Sequence, residues 1–304
     1  MQRTSLKNDA LHLLFEALVS LAMPLPPRAA RLAGAALGLA GYALLGSDRR
    51  RVSRQLLDRY DEVLGLPGDP ESLKRRRVRD TTRQVFVNLG RWAGELCAYV
   101  DRHDRILDRV VLPGRSASVL AEALGRRRGV LYLTGHLGHW ELMAWSLAAR
   151  GMPVSAVGRS SYHPGITDLT AWLRRRAGVD VIVRDDPELP RRLLGALSRG
   201  RIVGLFVDQS TSLPSRSVDF LGRPAPTIEA PARLALRHRG GVVFGSCHEM
   251  RGGRLCIEIE RVSLPQGMDL DGALEVINGH VERAVRAFPD QWVWMHERWK
   301  RRVT

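Results

Sequence analysis

From Gly129 onward, short apolar runs alternate with stretches whose apolar residues recur every three or four positions. Apolar runs bounded by turn residues mark buried strands, and the intervening spacing marks amphipathic helices. Strands are expected at 129–134, 153–158, 179–183 and 202–207, with helices at 138–150, 164–177, 187–199 and 229–239. Such alternation builds a largely parallel sheet with helices on both sides. Val242 to Cys247 and Arg254 to Val262 read as further strands, joined through a Gly252-Gly253 hairpin turn. Asp271 to Ala287 reads as a closing helix.

The chain before Gly129 has a different pattern. Leu11 to Met23 is amphipathic to apolar, Pro24, Pro26 and Pro27 break it, and Leu32 to Gly46 is an uncharged Ala/Gly/Leu run of 15 residues. Neither stretch reaches the roughly 18 to 20 apolar residues that cross a bilayer cleanly. No small-residue cleavage site follows a basic start, so secretion is not indicated. Two helices lying in the interface, flanked by Arg49-Arg50-Arg51, suit the cytoplasmic face of a membrane with anionic lipid. Two ordinary core helices are the competing reading. Helical, more polar segments follow from Arg54 to Leu64 and from Glu71 to Tyr99, separated by the breaker Gly65-Leu-Pro-Gly-Asp-Pro70. The expectation is an α/β fold: a helical, membrane-associated region over 1–110 and a core over 111–304 with a mostly parallel central sheet flanked by helices.

Composition narrows the partners. The 304 residues carry 47 Lys plus Arg against 32 Asp plus Glu, a net charge of +15, with 44% hydrophobic residues, enough to bury a core. The charge calls for an anionic partner: phospholipid headgroups, a phosphorylated glycolipid or nucleic acid. No groove-entering helix or aromatic-studded basic sheet is legible, so nucleic acid is not expected. Cys97, Cys247 and Cys256 form neither a CxxC pair nor an even framework, and neither a disulfide scaffold nor structural zinc is expected. No G-x-S-x-G elbow, Walker loop or dinucleotide glycine fingerprint appears.

The richest segment is Leu131-Tyr-Leu-Thr-Gly-His136-Leu-Gly-His-Trp-Glu141, an H-x4-E arrangement in the turn between an expected strand and helix. A hydroxyl is a poor nucleophile at neutral pH, so acyl transfer from a thioester needs a base against it, and imidazole titrates near the operating pH. His136 is the candidate base, and Glu141 the candidate partner that accepts a hydrogen bond from the ring and fixes its tautomer. His136, His139 and Glu141 can also be imagined as a zinc site, but no third ligand cluster stands nearby and the H-E-x-x-H order is absent. Ligands of such sheets bind beyond the carboxyl ends of the strands. Arg159, Asp208 and Gln209 fall there: Arg159 as a bidentate phosphate ligand or an ordinary loop arginine, and Asp208 as an orienting group or a turn cap. In the tail, Trp292, Trp294 and Trp299 stand among cations, which suits either a membrane interface or a helix packed on the sheet.

Taken together, Thr134-Gly-His-Leu-Gly-His-Trp-Glu141, Val207-Asp-Gln209 with Val218-Asp-Phe-Leu-Gly-Arg-Pro-Ala-Pro-Thr227, and Pro289-Asp-Gln-Trp-Val-Trp-Met-His-Glu-Arg-Trp-Lys300 resemble the lipid A biosynthesis (lauroyl/myristoyl) acyltransferase family of the lysophospholipid acyltransferase superfamily. The resemblance runs over nearly the whole chain. It implies an inner-membrane enzyme that moves an acyl chain from acyl carrier protein or coenzyme A to a hydroxyl of a phosphorylated glycolipid, without metal or organic cofactor. Carried over by position, it makes His136 the base, Glu141 its partner, Arg159 an acceptor-phosphate ligand, and Asp208 with Gln209 supporting site residues. The chain departs from the family pattern where His139 replaces a usual asparagine, Ala230 a usual glycine and Phe244 a usual proline. Mannoside acyltransferases of actinobacteria share the motifs, which leaves a phosphatidylinositol mannoside as the alternative acceptor.

Overall fold

The structure, a computed structural model, describes residues 16–66, 68–158, 164–210 and 213–300. Helices α1 (Pro27–Leu44), α2 (Gly46–Asp58), the single turn α3 (Tyr60–Val63) and the long α4 (Glu71–Tyr99) lead to α5 (Ile106–Arg109), β1 (Val110–Val111) and α6 (Gly114–Gly125). The alternating part follows as β2 (Val130–Thr134), α7 (Trp140–Ala149), β3 (Val154–Gly158), α8 (Pro164–Arg176), β4 (Asp180–Val183), α9 (Leu189–Ser198) and β5 (Ile202–Phe206). A hairpin of β6 (Ser215–Phe220) and β7 (Arg223–Ile228) intervenes before α10 (Glu229–Arg237), β8 (Gly241–Glu249), β9 (Leu255–Arg261) and α11 (Leu270–Ala287).

Seven strands form one sheet in the order β1-β9-β8-β2-β5-β3-β4. Every pairing is parallel except β8 with β9. The expected α/β architecture is therefore observed. All five residues of β2 are buried, as a central strand covered on both faces requires. Its side chains alternate between two cores. Leu131 and Leu133 join Val203 and Leu205 under α9, α10 and α11, whereas Val130 and Tyr132 join Ile202 under α6, α7 and α8.

The hairpin of β6 and β7 was not expected, because Pro224 and Pro226 argue against a strand. They are tolerated in a separate two-stranded ribbon, paired with Asp219 and Ser217. Leu221 and Gly222 both take positive φ (53° and 71°), which matches the twist of a two-residue hairpin turn. The tail is a second departure. Beyond a short 3-10 turn at Pro289–Gln291 it crosses the strand ends as irregular chain, with Trp292 and Trp294 only 2% and 0% exposed. A membrane-interface role for these two indoles is thereby overturned: they are core.

No single described helix is long and apolar enough to cross a membrane, but apolar α1 and the more polar α2 form a pair, bent by 89° at its break, that together has the length and composition of a span. The part of the expected Leu11–Met23 helix before residue 16 lies outside the described residues. Helix α1 packs on α4 through Gly34 and Gly38 against Gly90 and Gly94, where backbones meet so closely that a Cβ on any of the four would strike a main-chain carbonyl oxygen. The opposite face of α1 is apolar and open: Leu32 is 72% and Leu44 81% exposed. Substitution Gly90→Leu should force α1 off α4 and cost about 1 to 3 kcal/mol, as overpacking does elsewhere. Urea unfolding at neutral pH checks this; an unchanged midpoint would mean that the two helices are not pressed together.

Candidate active site

The site begins with the turn out of β2. Gly138 takes φ +62°, and a Cβ there would collide with the carbonyl of Cys247, so only glycine lets the turn lie against β8. The Gly138 amide donates to the Gln291 carbonyl (2.8 Å) and the His139 amide to the Cys247 carbonyl (2.7 Å), pinning the loop between β8 and the tail. His139 then caps α7: its Nδ1 accepts from the Leu142 amide (3.4 Å). This is the task an asparagine performs at a helix N-cap, which accounts for the departure at this position. Burial, helped by Arg109, pushes the His139 pKa down to about 3, so it caps as a neutral ring.

His136 lies two residues beyond the end of β2, and Asp208 two residues beyond the end of β5. Because β2 pairs β5 with Thr134 opposite Phe206, the register brings the two side chains together. The His136 Nδ1 and Asp208 Oδ1 are 2.9 Å apart. Asp208 Oδ2 accepts from the His136 amide (2.6 Å) and from the Trp292 indole (2.9 Å). Burial by itself would raise the Asp208 pKa, but the His136 charge and these hydrogen bonds outweigh it and hold the carboxyl at about 2. An ionised Asp208 makes Nδ1 the protonated ring nitrogen and leaves Nε2 with its lone pair free for a proton.

The expected hydrogen bond from His136 to Glu141 is not formed; Asp208 takes that place. Glu141 sits in the first turn of α7, faces α8 and is engaged by Arg174, whose Nε donates to Oε2 at 3.0 Å and whose Nη2 donates to Oε1. Burial would raise the Glu141 pKa, yet Arg174 brings it below the usual carboxylate range. With Glu141 held by Arg174 and His139 by the helix cap, the zinc arrangement considered for His136, His139 and Glu141 is not built.

Gln209 lies against the pair. Its Nε2 lies 3.0 Å from His136 Nδ1, 3.2 Å from His136 Nε2 and 2.7 Å from the Nε2 of His296. Phe206 stacks on the His136 ring at 3.9 Å between centroids, and Trp140 meets it edge-on at 5.3 Å. His296 and Trp292 were not singled out as site residues, because the tail's distance along the chain hides its return to β2. The one available signal was the density of aromatic and basic residues in that tail. Arg159 lies outside the described residues.

A cavity of about 400 Å³ opens from His136 and Gln209 and runs between α9 and α10 over Leu193, Leu205, Pro231 and Leu234, with Arg174 and Arg184 at its side. It adjoins a second groove of about 810 Å³ that shares Leu189, Leu193 and Leu234 and ends among Arg127, Arg128, Arg237 and Arg239. The result is an apolar trough along one sheet face, with an imidazole and a buried carboxylate at one end.

The site thus sets an imidazole, paired with a buried carboxylate, on the strand ends of a parallel sheet beside an apolar trough. The chain belongs to the bacterial lipid A biosynthesis acyltransferase family, whose model matches residues 9–301. It is thus an acyltransferase of lipid A biosynthesis. A search of curated proteins returned no match.

The depressed Asp208 pKa has a consequence for stability. A carboxyl held at about 2, below its ordinary 3.8, stabilises the fold at pH values above the ordinary value and loses that contribution as pH falls through the lower one. Asp208→Asn should therefore unfold about 1.5 to 3 kcal/mol more easily at neutral pH. The gap to wild type should narrow as pH drops below about 4. Urea titrations across that range measure it; a gap that widens on acidification would contradict an ionised Asp208.

Proposed function

We propose that His136 deprotonates a hydroxyl of a lipid A precursor, which then attacks the thioester carbonyl of an acyl donor. The observation that carries this reading is the His136–Asp208 pair at the mouth of the trough. The hydroxyl proton moves to His136 Nε2, the oxygen bonds to the carbonyl carbon, and the carbon–sulfur bond breaks. The proton passes from Nε2 to the departing thiolate, so atoms and charge balance without a covalent acyl-enzyme. Asp208 fixes the tautomer and balances the transient imidazolium. The Gln209 amide lies against the His136 ring, within 3.2 Å of both ring nitrogens. An arriving hydroxyl displaces the amide, which is then free to donate to the oxygen that becomes negative.

The trough suits the acyl chain, since apolar walls compensate its removal from water. Glu141 with Arg174 acts as a rigid brace beside it. Arg159 is assigned to an acceptor phosphate through its bidentate fork. The donor is acyl carrier protein or acyl-coenzyme A, both anionic and attracted to a +15 chain. The open leucine face of α1, with Arg49-Arg50-Arg51 just beyond it, is assigned to the cytoplasmic surface of the inner membrane.

His136→Ala should abolish transfer, Gln209→Glu should lower kcat about a hundredfold or more, and His139→Asn should keep most activity. The assay offers purified enzyme a phosphorylated lipid A precursor and a phosphatidylinositol mannoside side by side. An active His136→Ala removes the base assignment, and exclusive use of the mannoside replaces the acceptor.

Leu193→Trp fills the trough without touching His136. It should shift donor preference toward shorter chains while the best donor keeps a near-normal kcat, because only the space for the distal chain is lost. An unchanged chain-length profile would remove the acyl chain from the trough. Membrane attachment is tested separately: replacing Leu32, Leu37 and Leu44 by serine should release the protein from anionic vesicles, as scored by flotation.

A further inference from the structure

On the β8–β9 hairpin three potential metal ligands converge. His248 and Cys256 are directly opposed across the antiparallel pair, and Glu258 lies diagonally from His248 on the same face. The His248, Cys256 and Glu258 ligand atoms all lie within 4.8 Å of one another. His248 and Cys256 are 4% and 6% exposed. The His248 Nδ1 is buried without a hydrogen-bond partner, and stands 3.9 Å from Glu258 Oε2. A buried imidazole nitrogen left unpaired costs free energy that a ligand would recover.

We propose that His248, Cys256 and Glu258 bind one zinc ion, with water as the fourth ligand. Imidazole, thiolate and carboxylate form a donor set typical of zinc, and tetrahedral bonds of about 2.0 to 2.3 Å place ligand atoms about 3.3 to 3.8 Å apart. Small side-chain rotations close the present spacing to that range. The exposed Glu258 gives the ion its way in, and binding releases one proton from the Cys256 thiol to solvent. The spacing H-x7-C-x-E resembles no linear zinc motif, because the hairpin register and not sequence proximity assembles the set.

The ion would also brace the catalytic loop. The His248 ring stacks on Phe288 at 3.8 Å between centroids. Three residues on, Gln291 holds Glu249 through its side chain and the Gly138 amide through its carbonyl. Fixing His248 therefore steadies the segment against which the His136 turn is built.

The test uses the full chain, stripped with chelator and dialysed against zinc. Wild type should retain one zinc per chain, gain thermal stability on adding it, and show thiolate-to-metal charge-transfer absorption when cobalt replaces zinc. Cys256→Ser should lose the absorption, and Glu258→Gln, a solvent-facing change that leaves the core intact, should weaken affinity roughly tenfold or more. Cys97→Ser should change neither. Hydrogen exchange of the Gly138 amide should slow when zinc is added. Less than one zinc retained by wild type, or undiminished affinity in both Cys256→Ser and Glu258→Gln, would overturn the proposal. None of these readouts depends on acyl transfer.

Discussion

One buried carboxylate organises the functional end of this molecule. Asp208 receives the His136 ring, the His136 amide and the Trp292 indole, and so joins the ends of β2 and β5 to the C-terminal tail. Each bond satisfies a donor that the turn would otherwise leave unpaired, and each favours the ionised carboxylate. The stability of the turn and the orientation of the imidazole are thus one interaction. Removing the charge disturbs both at once, whereas removing the imidazole leaves two of the three contacts in place.

The N-terminal helices are fastened to the same end of the sheet. The Gln55 side chain of α2 donates to the Trp294 carbonyl (2.6 Å), and that of Asn88 of α4 to the Asp290 carbonyl (3.0 Å). Arg31 of α1 pairs with Glu95 of α4 and Glu249 of β8, and Arg109 with Glu95 as well. Glu95 is only 1% exposed, so this charge cluster is held by mutual pairing. Val52, Leu56, Val85 and Phe86 share one apolar cluster with Leu131 and Leu133 of β2. The open leucine face of α1 therefore has a fixed relation to His136.

The fold was legible because its strands are buried on both faces and its helices on one, which writes two distinct periods into the sequence. β2, β3, β4 and β5 fall within a residue or so of their expected bounds. At Pro224 and Pro226 proline interrupts the period, and no strand is marked there. His136 was legible because the chain places it in the turn next to a strand that marks itself. Its partner was not, because Glu141 is near in sequence while Asp208 is near only once β5 is known to lie beside β2.

That strand order also explains why the two acidic residues have different partners. A carboxylate in the first turn of α7 faces the neighbouring helix α8, where Arg174 can neutralise it and stiffen the wall beside Trp140. A carboxylate at the end of β5 faces the imidazole from the same sheet edge, with no cation's hydrogen bond competing for it among the described residues. Exchanging these surroundings would leave the imidazole with a partner already committed to arginine. Charge on Glu141 is thus spent on architecture, and charge on Asp208 faces the His136 ring.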